Sequence, residues 1–366
     1  MPEPLPGSTG TSGIAGPVEV VGAGLLGTSI GLACRRAGLE VLLTDTAGEN
    51  VRTASGLGAG RPRAVGDRPA LVVVAVPPDH LGEVIAAALD GTEGTDAVVT
   101  DVGSVKSVPL AAVADHPGAA RYVGSHPMAG SERSGPLAGS ASLFDGRPWA
   151  ITPHASSAPA AVETVEALVR LAGGVPVWLT PAEHDRAVAR TSHVPHLLSA
   201  LVAARLAAGP ENHLALSGQG VRDVTRVAAG DPRLYGQIVS ANADAVVALL
   251  DEVRADLDRV RDAVGRGDRG ALEEVLAHGV QGTRVIPAKH GGPARPMASV
   301  WVSVPDHPGE LARLFADAVA SEVNIEDVRI DHDPGRPVGL VELLVEESRA
   351  EHLVTSLESR AWSTHR

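Results

Sequence analysis

Aromatic side chains make up only 2% of the chain, and a single cysteine, Cys34, occurs in 366 residues. One thiol cannot close an internal disulfide. Cys34 lies in an apolar stretch and reads as a small buried hydrophobe in a reducing compartment. With few rings to fill it, the core must be built from Ala, Val and Leu, within a hydrophobic content of 44%. Long apolar runs are missing too. No segment approaches the roughly 18 to 20 residues that span a bilayer, and the N-terminus carries neither a basic nor an apolar targeting region. Positive charge is also short: 31 Lys and Arg stand against 44 Asp and Glu, a net charge of −13. Nucleic acid and anionic membranes call for a clustered basic face that releases counterions, so neither is expected as a partner. The balance points to a cytoplasmic protein with small-molecule or protein partners.

What is present is glycine and proline, 41 and 27 residues, which punctuate an otherwise regular chain. The length fits two or three domains. Residues 1–16, almost wholly Pro, Gly, Ser and Thr, are expected to form a disordered tail. Over residues 17–180, short β-rich runs at 18–21, 41–44, 71–76, 97–101, 122–125, 149–152 and 175–179 alternate with Ala/Leu-rich helical stretches. Such alternation predicts an α/β domain of Rossmann type, a mostly parallel sheet with helices on both faces. Residues 181–288 show helical periodicity throughout, with long segments at 192–206 and 238–264, and predict an all-α domain that can pack as a dimer core. Residues 289–297 read as a linker. From 298 to 366 the order strand (299–304), helix (308–321), strand (325–330), strand (339–345), helix (350–357) indicates a ferredoxin-like α+β module.

The run Gly22-Ala23-Gly24-Leu25-Leu26-Gly27 follows the first strand directly and opens a helix at 28–37. Gly22, Gly24 and Gly27 let the backbone approach a pyrophosphate, the free N–H groups and dipole of that helix can hold it, and Leu25 and Leu26 belong to the same cofactor-binding loop. A second strand ends at Asp45, about 20 residues on, where a carboxylate can accept hydrogen bonds from ribose hydroxyls and would repel a 2′-phosphate. NAD is therefore expected rather than NADP. The strand at 71–76 stops at Val76-Pro77-Pro78, on the sheet edge that faces such a cofactor.

Two further segments carry polar groups to predicted strand ends: Asp101-Val102-Gly103-Ser104-Val105-Lys106 and Gly124-Ser125-His126-Pro127-Met128-Ala129-Gly130. His126 can take a proton from a substrate hydroxyl while hydride leaves for NAD, and Ser104 can orient His126 or the substrate oxygen. His184-Asp185 and Ser192-His193-Val194-Pro195-His196 gather more imidazoles. No further ligand stands at a recognisable zinc spacing, so substrate or structural contacts are expected there, and no metal. The segment 220–226 supplies Arg222 and Arg226 in a Gly-flanked turn, and guanidinium pairs bidentately with carboxylates. Taken alone, Arg222 reads as part of a charged helix face.

In this order the glycine loop, 101–106, 124–132 (GSHPMAGSE), 184–196 (HDRAVARTSHVPH) and 222–235 (RDVTRVAAGDPRLY) resemble the prephenate dehydrogenases, which include enzymes acting on arogenate. The resemblance covers nearly everything after the tail. It implies oxidative decarboxylation of prephenate to 4-hydroxyphenylpyruvate in tyrosine biosynthesis, with His126 as catalytic acceptor and Ser104 beside it. It also implies that Arg226 binds a substrate carboxylate, that His196 contacts the substrate, and that His193 lies nearby. Tyr235 departs from the pattern, since many relatives carry Trp after Asp-Pro. The C-terminal module resembles an ACT domain, with 304–311 at its first strand-to-helix turn. That resemblance implies a homodimer and an amino-acid effector such as tyrosine. Two other readings share parts of this plan: a catalytically silent sensor of NAD and amino acids, and a β-hydroxyacid dehydrogenase. The second would depend on a lysine or a His-Glu pair in the helical domain, a pattern absent here.

Overall fold

The computed structural model describes residues 13–130, 134–286, 296–332 and 338–365. The chain divides into two compact units near Leu257.

The first unit opens with β1 (Val18–Val21), α1 (Leu25–Arg36), β2 (Val41–Thr44), α2 (Gly48–Gly56), β3 (Arg61–Pro62), β4 (Leu71–Val74), α3 (Leu81–Gly91), β5 (Val98–Asp101) and α4 (Ser107–Val113). Its five strands form an all-parallel sheet in the order β3-β2-β1-β4-β5. Apart from the short exposed edge strand β3, strands this apolar serve two covered faces. Val18, Val20, Leu71 and Val73 pack under α1 and the later helix α5 (Pro159–Leu171), while Val72, Val74 and Val99 pack under Leu81, Ile85 and Leu89 of α3. The order reverses between β1 and β4, so the loops after these strands flank a crevice at the carboxyl edge, the usual place for a ligand in such sheets.

The sequence pattern suggested one continuous sheet, but the last three strands stand apart. β6 (Gly124–Pro127), β7 (Pro148–Thr152) and β8 (Val175–Trp178) form a second sheet, with β6 antiparallel to β7 and β7 parallel to β8. A lone parallel bridge from Val99 to Tyr122 joins this region to β5. Pro127 ends β6 and cannot donate to a ladder, which limits how far that strand can extend. The expected tail is also shorter than 1–16: Ile14 is buried among the core residues of the first sheet. Residues 1–12 lie outside the described residues, as does most of the predicted linker. Cys34 is buried in the same core, and desolvation pushes its thiol up to about 12.

A helical region follows: α6 (Pro181–Val188), α7 (Val194–Ala207), α8 (Glu211–Leu214), α9 (Gln219–Thr225), α10 (Pro232–Ala241), α11 (Ala243–Arg266) and α12 (Arg269–Arg284). The single long helix expected over 238–264 is broken at Asn242. No helix among the described residues is long and apolar enough to cross a membrane.

The second unit carries β9 (Met297–Pro305), α13 (Glu310–Val319), β10 (Asp327–His332), β11 (Val338–Glu346), α14 (Glu347–Glu358) and β12 (Ser363–His365). Its antiparallel sheet runs β10-β11-β9-β12. Val300, Val302 and Val304 alternate inward against Leu314, Leu353 and Leu357, the period of a half-buried strand. β12 closes the ferredoxin-like order. Its three polar residues carry no apolar alternation, which is why the sequence pattern misses it.

Candidate active site

The glycine loop sits at the sheet's switch point. Gly22 has φ +102, and a Cβ there would lie 2.3 Å from the Ala75 carbonyl oxygen; one on Gly27 would lie 1.8 Å from that of Gly22. Both must be glycine for the loop to close. At Gly24 a Cβ would meet nothing within 4 Å, so the loop is open on the side where a phosphate would come. Helix α1 begins at Leu25, earlier than the 28–37 expected, with no side chain capping it, leaving its first N–H groups for a ligand. Asp45 is locked beside the loop. One carboxylate oxygen accepts from Ala23 N at 2.7 Å and the other from Ala47 N at 2.8 Å. Val76 is half-buried and Pro77 exposed just beyond β4. This set fits a dinucleotide whose ribose bears free hydroxyls.

His126 stands in β6, half-buried. Its Nδ1 lies 2.9 Å from Nε2 of His184, the two rings meeting edge-on with centroids 5.2 Å apart. His184 in turn places Nδ1 2.9 Å from Asp185 Oδ1. Both come from the first turns of α6, which a capping box holds in place: Thr180 Oγ1 accepts from Glu183 N, and Glu183 accepts from Thr180 N. Asp185 also accepts from the backbone N–H groups of Lys106 and Ser107, each at 2.8 Å, which fixes α6 to the start of α4.

Beneath His126 lies a buried ionic cluster. Lys106 Nζ bonds Asp101 and donates to the Ser125 carbonyl at 2.8 Å, and the Tyr122 hydroxyl donates to the other Asp101 oxygen at 2.8 Å. Burial pushes Lys106 below its ordinary value, against the pull of Asp101, and raises Tyr122 well above its own. Burial also drives His126 well below the usual imidazole range, helped by His184, Lys106 and His193. A neutral imidazole at neutral pH is a proton acceptor. Ser104, half-buried on the turn between Asp101 and Lys106, makes no hydrogen bond to any described residue, so its hydroxyl is unspent.

After α6 the chain makes a π-helical turn, Ala189–His193. Pro195, next in α7, has no N–H to return to Thr191, and the wider turn absorbs that loss. His193 is buried, its Nδ1 3.1 Å from Asn242 Nδ2, which also donates to the Asp185 carbonyl at 2.8 Å. Burial first, then His184, pushes His193 down to about 4. His193 is thus part of the packing behind His184 rather than of an open wall. His196, one turn on, stacks on Tyr235 with centroids 3.4 Å apart and planes 8° from parallel. Its buried Nδ1 has no hydrogen-bond partner among the described residues. Ser199 Oγ donates to the Val224 carbonyl at 2.7 Å, holding the end of α9 against α7, and the turn that carries Arg226 packs there too. Arg226 and Arg222 are both exposed.

The structure therefore joins His126 to a neighbourhood that motif reading divided, and it adds Asn242, which no local signal marked. Ser131 and Glu132, the end of the GSHPMAGSE segment, lie outside the described residues. Among the described residues no cluster of three His, Cys, Asp or Glu side chains is arranged to hold a metal ion.

A family model described as prephenate dehydrogenase, nucleotide-binding domain, matches residues 30–184, and one described as prephenate dehydrogenase, dimerization domain, matches 180–278. A protein from Streptomyces niveus described as a probable prephenate dehydrogenase is 36% identical over 94% of this chain and 98% of its own. The prephenate dehydrogenase of Bacillus subtilis is 28% identical over 86% of this chain and 87% of its own. A crystal structure of prephenate dehydrogenase from Aquifex aeolicus, in complex with hydroxyphenyl propionate and NAD+, superposes with a TM-score of 0.67 at 27% identity, covering 74% of this chain and 97% of that one. With its glycine loop, its strand-end His126 and matches running nearly end to end, the chain belongs to the prephenate dehydrogenase family.

Proposed function

We propose that this NAD-dependent oxidoreductase converts prephenate to 4-hydroxyphenylpyruvate, and that His126 is its proton acceptor. The observation that carries the reading is the placement of His126, near the end of β6 with Nδ1 2.9 Å from His184 Nε2, where burial holds the ring well below the usual imidazole range. NAD supplies the hydride acceptor. His126 Nε2 takes the hydroxyl proton as the C–H electron pair at the carbinol carbon leaves as hydride. The ring carboxylate then departs as carbon dioxide, its bonding electrons complete the aromatic ring, and the proton is returned to the phenolic oxygen. Aromatisation makes the sequence downhill, so the protein's work is positioning and a modest base. Ser104, with its unspent hydroxyl, orients the substrate oxygen. His196, flat on Tyr235, contacts the substrate, and Arg226 pairs with a carboxylate.

The other finer assignments rest on packing. Leu201, Val247 and Leu257 of the first unit are exposed apolar side chains on α7 and α11, which supports a homodimer through the helical region. The β-α-β-β-α-β order of the second unit and the uncapped N-terminus of α13 at Gly309 support an ACT-like module that takes an amino acid such as tyrosine. A cytoplasmic location follows from the same biosynthetic role. The test is NADH formation by purified protein given NAD with prephenate or arogenate, with and without tyrosine, and chromatographic identification of the product. Turnover of prephenate to 4-hydroxyphenylpyruvate supports the reading. NAD binding without turnover of either substrate makes the protein a sensor, and a strong preference for arogenate reassigns the substrate.

A further inference from the structure

We infer that His184, anchored by Asp185, is a positioning residue that holds His126 in the tautomer carrying its proton on Nδ1, which leaves the Nε2 lone pair free for the substrate hydroxyl. The inference rests on the role proposed above for His126 and adds what selects the reactive form of that ring.

The donor and acceptor inventory runs in one direction. Asp185 Oδ1 receives Lys106 N–H at 2.8 Å, and Oδ2 receives Ser107 N–H at 2.8 Å. Burial, the largest single influence, works to raise this carboxyl, but the bonds from His184, Ser107 and Lys106 outweigh it and hold it below the usual range. Asp185 is therefore an acceptor only, and His184 Nδ1, 2.9 Å away, must bring the proton. Burial also pushes His184 below its ordinary value, despite the opposing pull of Asp185. A neutral His184 protonated on Nδ1 has a bare Nε2, which can only accept. The group it accepts from is His126 Nδ1, at 2.9 Å. A neutral His126 has one proton, so its Nε2 is bare.

The competing state is a doubly protonated His184, whose Nε2–H would donate to His126 and move the His126 proton to Nε2, disabling it as a base. The groups facing this pair decide between the two. Lys106, at the start of α4, disfavours positive charge on both rings, and His193, from the π turn, disfavours it on His126. For His184, Asp185 and Asp101 favour it. The result is two neutral imidazoles. Once His126 gains the substrate proton, the imidazolium donates through Nδ1 to His184, which Asp185 keeps in place without itself taking a proton, the logic by which a carboxylate orients and supports a catalytic histidine elsewhere.

The wild-type protein and His184→Leu and His184→Gln variants, each saturated with NAD, test this in two ways. Histidine nitrogen NMR of the wild type at neutral pH should show His126 protonated on Nδ1. In His184→Leu, kcat should fall by about 100-fold or more with the Kd for NAD unchanged, and the NMR signal should shift to the Nε2-protonated form. In His184→Gln, whose amide oxygen reaches the position of Nε2 and can accept from His126, kcat should recover to within about tenfold of wild type. A wild-type His126 protonated on Nε2 overturns the proposal, as does a folded His184→Leu with near-normal kcat, or a His184→Gln no better than His184→Leu. If His184→Leu does not fold, the wild-type tautomer and the glutamine variant decide. The tautomer is read without substrate, so a wild type inactive on prephenate would sink the functional reading and leave this measurement standing.

Discussion

His196 lies flat on Tyr235, the ring centroids 3.4 Å apart. Gly230 closes the stack from the side, for a Cβ on it would lie 2.7 Å from the phenol ring and 3.2 Å from His196. Stacking of this kind holds an imidazole in one orientation, and aromatic pairs contribute about 0.5–1.5 kcal/mol beyond their buried area. Tyr235→Leu should therefore raise KM for the substrate roughly threefold to tenfold while kcat changes little. Steady-state kinetics check it: an unchanged KM would mean that His196 does not need Tyr235 to meet the substrate. Tyr235→Trp, which keeps the ring, should stay close to wild type.

The glycine loop separates folding from binding. Gly27→Ala drives a methyl group into the Gly22 carbonyl and should both destabilise the protein and abolish NAD binding. Gly24→Ala meets nothing within 4 Å, so its melting temperature should match wild type while the Kd for NAD rises by about tenfold or more, because the methyl group occupies the phosphate approach. Equal NAD affinity in Gly24→Ala would move the pyrophosphate away from this loop.

Lys106 and Asp101 are buried as a pair, with Tyr122 and the Ser125 carbonyl completing their bonds. Removing one partner of such a pair leaves a charge uncompensated, at a cost of about 3–5 kcal/mol. Lys106→Ala should lower the urea midpoint accordingly, more than a surface deletion such as Arg170→Ala, whose salt bridge with Glu166 is exposed. Similar midpoints for the two would show that the pair carries no such burden.

Acid should destabilise the first unit before the ordinary carboxylate range is reached. His126, His184, His193 and His196 are all held below the usual imidazole value, chiefly by burial, and His193 at about 4. In the unfolded chain they take up protons near pH 6.5, about where model imidazoles titrate. Between that value and the lower folded ones the unfolded state binds more protons, so stability is full above about pH 6.5 and is lost as pH falls through that window. The melting temperature measured from neutral pH downward should decline over this interval. A flat profile would mean that these histidines are not buried neutral.

How far the sequence anticipates this molecule depends on the reach of each interaction. Gly22, Gly24, Gly27 and Asp45 are readable because one strand-turn-helix-strand unit contains the whole device. His126 is readable as a strand-end histidine, but its partner His184 lies 58 residues away, a separation that no spacing rule bridges. Asn242 is less visible still: a helix break looks like a cap residue, and its two hydrogen bonds to His193 and Asp185 exist only after the end of α10 meets α6 and the π turn. Likewise, the short β-rich stretches at 122–125, 149–152 and 175–179 announce strands without saying which sheet they join, so β6, β7 and β8 read as a continuation of the parallel sheet.

In the proposed mechanism His126 receives the substrate proton. His126→Asn keeps a polar side chain of similar reach but removes the base, so its kcat with prephenate and NAD should fall by about 100-fold to 10,000-fold while the Kd for NAD stays at the wild-type value. A His126→Asn enzyme with near-normal kcat would contradict the account.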